Sequence, residues 1–299
     1  MRLDDERESS NISDQRGGGG GFTGGGGRGP GFKVGGIGAI VITLGALYFG
    51  VDPRIVFNLL EGGGNAPATT QYAAPAGNQG NGNQAGVDDP QRRFVSKILA
   101  STEDVWTDQF RQMGKTYQAP TLVLFSGGTR SGCGFAQTAV GPFYCPADQR
   151  VYLDLNFFRE LSDKMGAKGD FARAYVVAHE IGHHVQNQIG LMAKVDALRP
   201  QLGTEGRNAL SVKVELQADC FAGVWANQAN RSHHILEAGD IESGLNAASA
   251  VGDDTLQREA GRAVQPDSFT HGSAAQRTGW FRRGFDSGSI AQCDTFASK

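Results

Sequence analysis

The sequence lacks an excess of positive charge and has few cysteines, and both shortages narrow the function. Its 28 lysines and arginines face 31 aspartates and glutamates, for a net charge of −3, so the composition gives no support to nucleic-acid binding. The 4 cysteines form no C-x-x-C pair, which argues against a cysteine-based zinc site. Residues 91–299 contain no repeat of solenoid period and are long enough to bury a core, so we expect one globular domain there.

Glycine is abundant instead, and it divides the chain. Most of the excess among the 44 glycines lies before Pro90, and a segment so rich in glycine cannot offset the entropy cost of ordering. We therefore predict a disordered Gly-rich tail over residues 1–33 and a flexible linker over residues 52–90. The linker would have a root-mean-square reach on the order of 30 Å.

Residues 34–51 (VGGIGAIVITLGALYFGV) carry no charge, and their number is at the short end of the length that spans a bilayer. The low-complexity flanks disfavour a buried core helix, and the missing A-x-A site disfavours a cleaved signal peptide. We predict an uncleaved transmembrane signal-anchor. Arg16, Arg28 and Lys33 precede it, whereas Arg54 alone follows it closely. The positive-inside rule then predicts a single-pass inner-membrane protein with a cytoplasmic N-terminus and a periplasmic domain.

The strongest chemical signal is the pattern H-E-x-x-H at residues 179–183, inside an apolar run that reads as a helix. Residues four apart share one face of a helix, so His179 and His183 can offer two nitrogens to one ion, while Glu180 flanks that ion. Zinc peptidases use this arrangement, with the glutamate acting on the metal-bound water. Chance predicts only about 0.004 such matches in this composition. The alternative is a buried helix with hydrogen-bonded core histidines.

A third protein ligand is needed, because catalytic zinc keeps its fourth position for water. The sequence predicts a long helix over residues 204–230 that contains Glu215 and Asp219, again four apart. Glu215 has apolar neighbours and is the predicted third ligand, and Asp219 is predicted to accept a ring N–H from a ligating histidine. The alternative is a solvated acidic pair. We expect one Zn²⁺ ion as the cofactor.

Short strands precede the predicted metal helix and further helices follow it, so we expect an α+β fold that is mainly helical with a small β-sheet. A helix capped by Asp89 opens the domain, with a second helix start at Ser101. Residues 121–125 read as a strand, residues 126–134 as a loop, and residues 143–155 as a hairpin.

At these residues the chain resembles the bacterial neutral zinc metallopeptidase family, single-span membrane proteins with an H-E-x-x-H domain outside the membrane. The resemblance runs through the stretches GPFYCPADQRVYLDL, AHEIGHHVQ, ELQADCFAG, DSFTHGSAAQR and CDTF, and covers nearly the whole chain. The hairpin before the metal helix also resembles the small zincin-like gluzincin fold, in which a glutamate of an E-x-x-x-D helix is the third ligand. That pattern matches Glu215 and Asp219. The family implies peptidase activity without supplying a substrate.

The predicted activity is therefore that of a membrane-anchored zinc endopeptidase. Glu180 would act as the general base on water held by the zinc ion. His271 is a candidate for stabilising the oxyanion; its alternative role is to satisfy backbone groups in a turn. The strand at residues 151–155 is expected to align an extended peptide. The partners are then a peptide or protein substrate and the membrane, with no oligomeric state indicated. The alternative function is a catalytically idle, metal-stabilised binding or scaffold domain.

The four cysteines are predicted to form disulfides, because an even number in an extracytoplasmic domain favours pairing. Four cysteines allow three connectivities. We predict Cys133–Cys145, which closes a loop, and Cys220–Cys293, which ties the C-terminal tail to the helix of Glu215. In a cytoplasmic domain they would instead be free buried thiols.

Overall fold

The computed structural model describes residues 1–16, 89–137 and 141–297. The predicted membrane span at residues 34–51 lies outside these ranges, as do the Gly-rich part of the predicted tail and the predicted linker up to residue 88. Among the helices that are described, none combines the length and the apolar character needed to cross a membrane.

The β-structure consists of a small mixed sheet and a separate hairpin. The described strands are β1 (Ile12–Asp14), β2 (Thr121–Phe125), β3 (Gly128–Ser131), β4 (Gly134–Gln137), β5 (Phe143–Cys145) and β6 (Arg150–Asp154). The sheet has the order β1–β2–β6–β5. Its first three strands are parallel to one another, and β5 runs antiparallel to β6. Strands β3 and β4 form the antiparallel hairpin.

Helices supply the larger part of the described structure. They are α1 (Pro90–Gln112), α2 (Asn156–Asp163), α3 (Asp170–Gln188), α4 (Leu191–Leu198), α5 (Thr204–His233), α6 (Asp240–Ala250), α7 (Asp253–Glu259) and α8 (Ala274–Ser287). Helix α3 packs against α1, α5 and α6, and α5 packs against α8. The buried rings of Trp106, Phe171, Phe221 and Trp225 belong to one core shared by these helices. The predicted α+β class, mainly helical with a small sheet, is confirmed.

Two local predictions are wrong. Helix α1 continues through Ser101 without a break, because Ile98 and Trp106 lie on one continuous buried face. The hydroxyl of Ser101 accepts a hydrogen bond from the indole N–H of Trp225 and caps no new helix. Residues 128–131 form strand β3 rather than loop, because they pair with β4. The predicted hairpin over residues 143–155 is present as β5 and β6.

The prediction of a disordered tail is wrong for residues 1–16, which lie against the domain. Strand β1 extends the sheet beside β2, and Leu3 packs against the hydrophobic core. The ammonium group of Lys97 on α1 donates to the carbonyl oxygen of Leu3 at 2.5 Å. The physical reason is that α1 and β2, distant in sequence, supply contacts that a polar segment cannot make by itself.

Both predicted disulfides are present. Cys133–Cys145 links the turn between β3 and β4 to the end of β5, and Cys220–Cys293 links α5 to a 3₁₀ turn at Ile290–Cys293. The second disulfide therefore ties the C-terminal segment to the helix that carries Glu215, as the sequence predicts.

Candidate metal centre and active site

Helix α3 carries the H-E-x-x-H residues along the wall of a cavity of about 250 Å³. The helix places Asp170 in its first turn, where a negative charge interacts favourably with the helix dipole. His179, Glu180 and His183 are 7%, 8% and 8% exposed, respectively. The two imidazole rings lie one helical turn apart, with ring centroids separated by 4.8 Å, as the spacing predicts.

Helix α5 approaches α3 closely at the glycine inside the motif. A Cβ atom at Gly182 would lie 3.0 Å from the carbonyl oxygen of Ala218, closer than a side chain packs without a shift of its neighbours. Ala218 lies between Glu215 and Asp219 in the sequence. The close approach at Gly182 therefore brings both carboxylates of α5 next to the histidines of α3.

His179, His183 and Glu215 form one buried cluster whose ligating atoms all lie within 4.8 Å of one another. Glu215 Oε2 is 3.2 Å from His179 Nε2, and Glu215 Oε1 is 3.5 Å from His183 Nε2. Burial alone would raise the pKa of Glu215, but the neighbouring imidazoles hold it well below its ordinary value, so this carboxylate is ionised. Two imidazole nitrogens and one carboxylate are a donor set of catalytic zinc. The residues present therefore fit the ion that the sequence predicts.

The outward ring nitrogen of each histidine has a hydrogen-bond acceptor. His179 Nδ1 lies 2.9 Å from Asp219 Oδ1, the contact that the sequence predicts, and His183 Nδ1 lies 2.9 Å from Gln186 Oε1. The amide nitrogen of Gln186 donates to the carbonyl oxygen of Val214 at 2.7 Å, which turns the amide oxygen towards His183. In the neutral tautomer that these acceptors favour, with the proton on Nδ1, the lone pairs of both Nε2 atoms would face the cluster and could bind an ion.

Arg277 and Tyr175 surround the carboxylate of Asp219. Arg277 donates from Nε to Oδ2 at 2.9 Å and from Nη2 to Oδ1 at 3.0 Å, and the Tyr175 hydroxyl donates to Oδ1 at 2.5 Å. Burial alone would raise the pKa of Asp219, but the guanidinium of Arg277 and the imidazole of His179 lower it. Burial likewise lowers the pKa of His179, but the carboxylates of Asp219 and Glu215 outweigh that effect and raise it to about 10.

Sequence reasoning missed Gln186, Tyr175 and Arg277 as members of the site. Gln186 lies on the helix of the motif, three residues after His183, and this spacing is the signal that could have found it. Arg277 meets Asp219 across 58 residues of sequence. Its signal was only the DSFTHGSAAQR stretch within the resemblance, because no local pattern ties an arginine on one helix to an aspartate on another.

Glu180 lies in the cavity wall beside the cluster and is not one of its three ligating residues. Burial raises the pKa of its carboxyl group, which the nearby His179 and His183 only partly offset. A carboxylate whose pKa is raised towards neutrality is better matched to accepting and returning a proton at physiological pH. This position suits the role of a general base.

His271 lines the same cavity, and the structure argues against its alternative role in the turn. The backbone N–H groups of Thr270, His271 and Gly272 all donate to Asp253 Oδ2, at 2.7, 2.7 and 3.1 Å. The turn is therefore satisfied by Asp253. The second oxygen of Asp253 lies 3.1 Å from His271 Nδ1, which leaves Nε2 as the ring nitrogen available to the cavity. Burial alone lowers the pKa of His271, but the carboxylates of Asp253 and Glu215 together outweigh burial and raise that pKa.

The strand at the border of the cavity differs from the one expected. Strand β6 has neighbours on both sides, β2 and β5, so the prediction that residues 151–155 align a substrate is wrong. Strand β5 is the edge of the sheet, and Phe143 and Tyr144 of β5 line the cavity. The Tyr144 hydroxyl contacts His184 Nδ1 at 3.1 Å, which fixes the edge strand against α3 and gives His184 a structural role.

The buried histidine–histidine–glutamate cluster has the ligand set of the zinc-metallopeptidase class. The family described as "Putative neutral zinc metallopeptidase" matches residues 1–296, and the chain belongs to this family. The chain is 48% identical over 300 residues to the uncharacterized protein YpfJ of Escherichia coli strain K12, with 99% of each chain covered. It is 38% identical over 263 residues to the uncharacterized protein Rv2575 of Mycobacterium tuberculosis strain H37Rv, with 85% of each chain covered. No solved structure matches it significantly.

Proposed function

We propose that this protein is a membrane-anchored, zinc-dependent endopeptidase that hydrolyses internal peptide bonds. The observation that carries the proposal is the placement of Glu180 beside the cluster of His179, His183 and Glu215 in the wall of one cavity. A site that only stabilises a fold usually has four protein ligands and has no use for a buried carboxylate next to the ion. Membership of a zinc metallopeptidase family supports the same reaction class.

The three ligating residues would hold one Zn²⁺ ion, which when bound supplies Lewis acidity and lowers the pKa of a coordinated water. Glu180 would remove the proton of the attacking water and return it to the leaving amine. His271, with its ring fixed at Nδ1 by Asp253, would present Nε2 to the developing oxyanion. Asp219 would hold the ring of His179 in the tautomer that leaves its Nε2 lone pair free.

The walls of the cavity support a peptide substrate with a large apolar side chain next to the scissile bond. Much of the lining is apolar: Phe157, Met165, Val176, Met192, Val195, Val251 and Leu256. Such a surface favours burial of an aliphatic or aromatic side chain by about 1.5–3 kcal/mol. The edge strand β5 offers backbone groups to which an extended peptide can add. The substrate class is therefore an unfolded or extended protein segment.

Two features support the proposed location. Residues 34–51 have the composition of a membrane anchor, and the disulfides Cys133–Cys145 and Cys220–Cys293 are typical of an oxidising compartment. We therefore place the catalytic domain outside the cytoplasm, on the periplasmic face of the inner membrane. The net charge of −3 gives no support to a nucleic-acid partner.

The competing function is a catalytically idle domain in which the metal serves stability or binding. The experiment that separates the two measures zinc stoichiometry and cleavage of a peptide library by the wild type and by Glu180→Gln. The matched control is Glu205→Gln, the same change at an exposed position on α5. We expect Glu180→Gln to bind one zinc ion per chain and to lose about 10²–10⁴-fold in cleavage rate, while the control keeps both properties. Cleavage by Glu180→Gln at the wild-type rate would refute the assignment of the base.

A further inference from the structure

The N-terminal strap, defined here as residues 1–16, binds a buried carboxylate on the peptidase domain. Glu103 of α1 is 7% exposed, and its hydrogen bonds come from three strap side chains. Arg7 Nη2 donates to Oε2 at 2.9 Å, while Ser9 Oγ and Asn11 Nδ2 donate to Oε1 at 2.6 and 2.8 Å. A buried carboxylate requires such partners. The strap therefore supplies the hydrogen-bond donors that the buried carboxylate of Glu103 needs.

The backbone of the strap is also part of the fold. Ser9 and Ser96 exchange two hydrogen bonds, from Ser9 N to Ser96 O at 3.2 Å and from Ser96 Oγ to Ser9 O at 3.1 Å. Strand β1 pairs with β2 in parallel register, and residues 122–124 of β2 are fully buried. Removal of the strap would leave one side of β2 without its hydrogen-bond partners and would leave Glu103 buried without compensation.

The strap ends where the rest of the domain begins. Arg16 Nη1 lies 2.5 Å from Asp89 Oδ2, and the other oxygen of Asp89 caps α1 by accepting the backbone N–H of Gln91 at 2.8 Å. The two described segments therefore end next to each other, at Arg16 and Asp89. The apolar run at residues 34–51 belongs to the 72 residues between these two points.

We propose that the strap is an integral part of the peptidase domain, so that residues 1–16 and 89–297 lie on the same side of the membrane. A single crossing between Arg16 and Asp89 would put the strap and Glu103 in different compartments, and every contact described above would be lost. This replaces the expectation of a single-pass protein with a cytoplasmic N-terminus and a periplasmic domain, because strap and domain cannot be in contact across a membrane. The anchoring proposed for residues 34–51 must then leave both ends of that run on the same side of the membrane. If the domain is periplasmic, the strap is periplasmic as well. The inference does not depend on whether the metal centre is catalytic.

The test labels one introduced cysteine on each segment of the full-length protein. Arg2→Cys reports on the strap and Arg111→Cys on the domain, since these side chains are 64% and 70% exposed. The four native cysteines are paired in disulfides. Each variant, expressed in a bacterial host, is treated with a membrane-impermeant maleimide in intact spheroplasts. The labelled fraction is normalised to that of the same sample after detergent and denaturant.

Same-side placement predicts that both cysteines are labelled in intact spheroplasts, or that both are labelled only after permeabilisation. Labelling of one cysteine in intact spheroplasts and of the other only after permeabilisation would overturn the proposal. Neither result requires peptidase activity, so failure of the proposed function and failure of this topology are distinguishable.

A second measurement tests the contact that holds the strap. Glu103→Gln replaces the charged acceptor of the three strap donors with a neutral amide, which makes weaker hydrogen bonds. The strap should then open more often, and we expect tryptic cleavage at Arg7 to become about tenfold faster. The control is Glu160→Gln, the same change in an exposed pair with Lys164 on α2. If Glu103→Gln fails to fold, Ser9→Ala removes one donor from the strap side instead. Equal cleavage rates in the variant and the control would refute the docking of the strap.

Discussion

Arg277 is not a metal ligand, but we expect its loss to disturb the surroundings of the metal centre more than any other change outside the ligands. Its guanidinium makes two hydrogen bonds, at 2.9 and 3.0 Å, to Asp219, whose side chain is fully buried. In Arg277→Met the apolar stem is kept and the charge is removed. Breaking a buried ion pair from one side costs about 3–5 kcal/mol, because the remaining charge is left without compensation. We expect the metal-free variant to lose this amount of unfolding free energy in urea titrations.

A matched control and a double variant separate the ion pair from general effects of the substitution. The control is Arg283→Met on the same helix. The guanidinium of Arg283 hydrogen-bonds Gln292 and lies over the ring of Trp280 at the surface, so its loss should cost about 1 kcal/mol or less. Asp219→Asn combined with Arg277→Met removes both charges and should regain much of the loss, which gives a coupling energy of several kcal/mol in a double-mutant cycle.

The single variant Arg277→Met should also bind zinc more weakly than the wild type, although Arg277 is not a ligand. Arg277 holds the carboxylate of Asp219, which in turn fixes the ring of His179. Disturbance of such outer partners typically reduces metal affinity about 10–100-fold. Competition with a chromophoric chelator measures this directly. The reasoning is refuted if Arg277→Met and Arg283→Met show the same stability and the same zinc affinity.

Three further outcomes follow from other parts of the structure. Gly284→Ala should destabilise the protein by more than about 3 kcal/mol in urea unfolding, because its Cβ would lie 1.9 Å from the carbonyl oxygen of Cys220. The control is Gly279→Ala on the same helix, whose Cβ meets nothing within 4 Å, and which should be neutral or gain about 0.5–1 kcal/mol. The pair of Asp253 and protonated His271 stabilises the fold fully below about pH 6.5 and is lost as pH rises through the raised pKa of His271, so the stability difference from His271→Gln should shrink from pH 6 to pH 9. Chelation of zinc should abolish peptide cleavage yet leave the helical circular dichroism unchanged, and free zinc at 100 times its Kd should restore about 2.7 kcal/mol of stability.

The parts of the site that the sequence predicts are those that helix geometry determines locally. His179 and His183 share a face because they are four residues apart on one helix, and the same holds for Glu215 and Asp219 on another. Their apolar neighbours indicated that both faces are buried. Local geometry does not determine that the two helix faces meet. The only indication that they do is that zinc needs a third protein ligand.

The parts that the sequence does not predict depend on partners that are remote along the chain. Residues 1–16 are polar and read as disordered because nothing within them can order them. Their partners, Glu103 and β2, are 92 to 110 residues away in the sequence. Ser101 reads as a helix cap because Ser favours that position, but Trp225 binds its hydroxyl in the middle of α1. In each case the local preference is genuine, and a tertiary contact outweighs it.

The geometry of the metal centre is determined by the packing of three helices rather than by loops, and this bears on how the site works. Gly182 lets α3 and α5 approach closely. A Cβ at Gly223 would lie 2.1 Å from the carbonyl oxygen of Phe281, so α8 approaches α5 more closely still. The disulfide Cys220–Cys293 is anchored in the same helix. The ligands therefore converge on scaffolding that is already ordered by apolar burial, and binding of the ion does not have to organise the fold. A site built in this way keeps its ligands and their outer partners in place when the metal leaves, which is the condition for electrostatic preorganisation during catalysis.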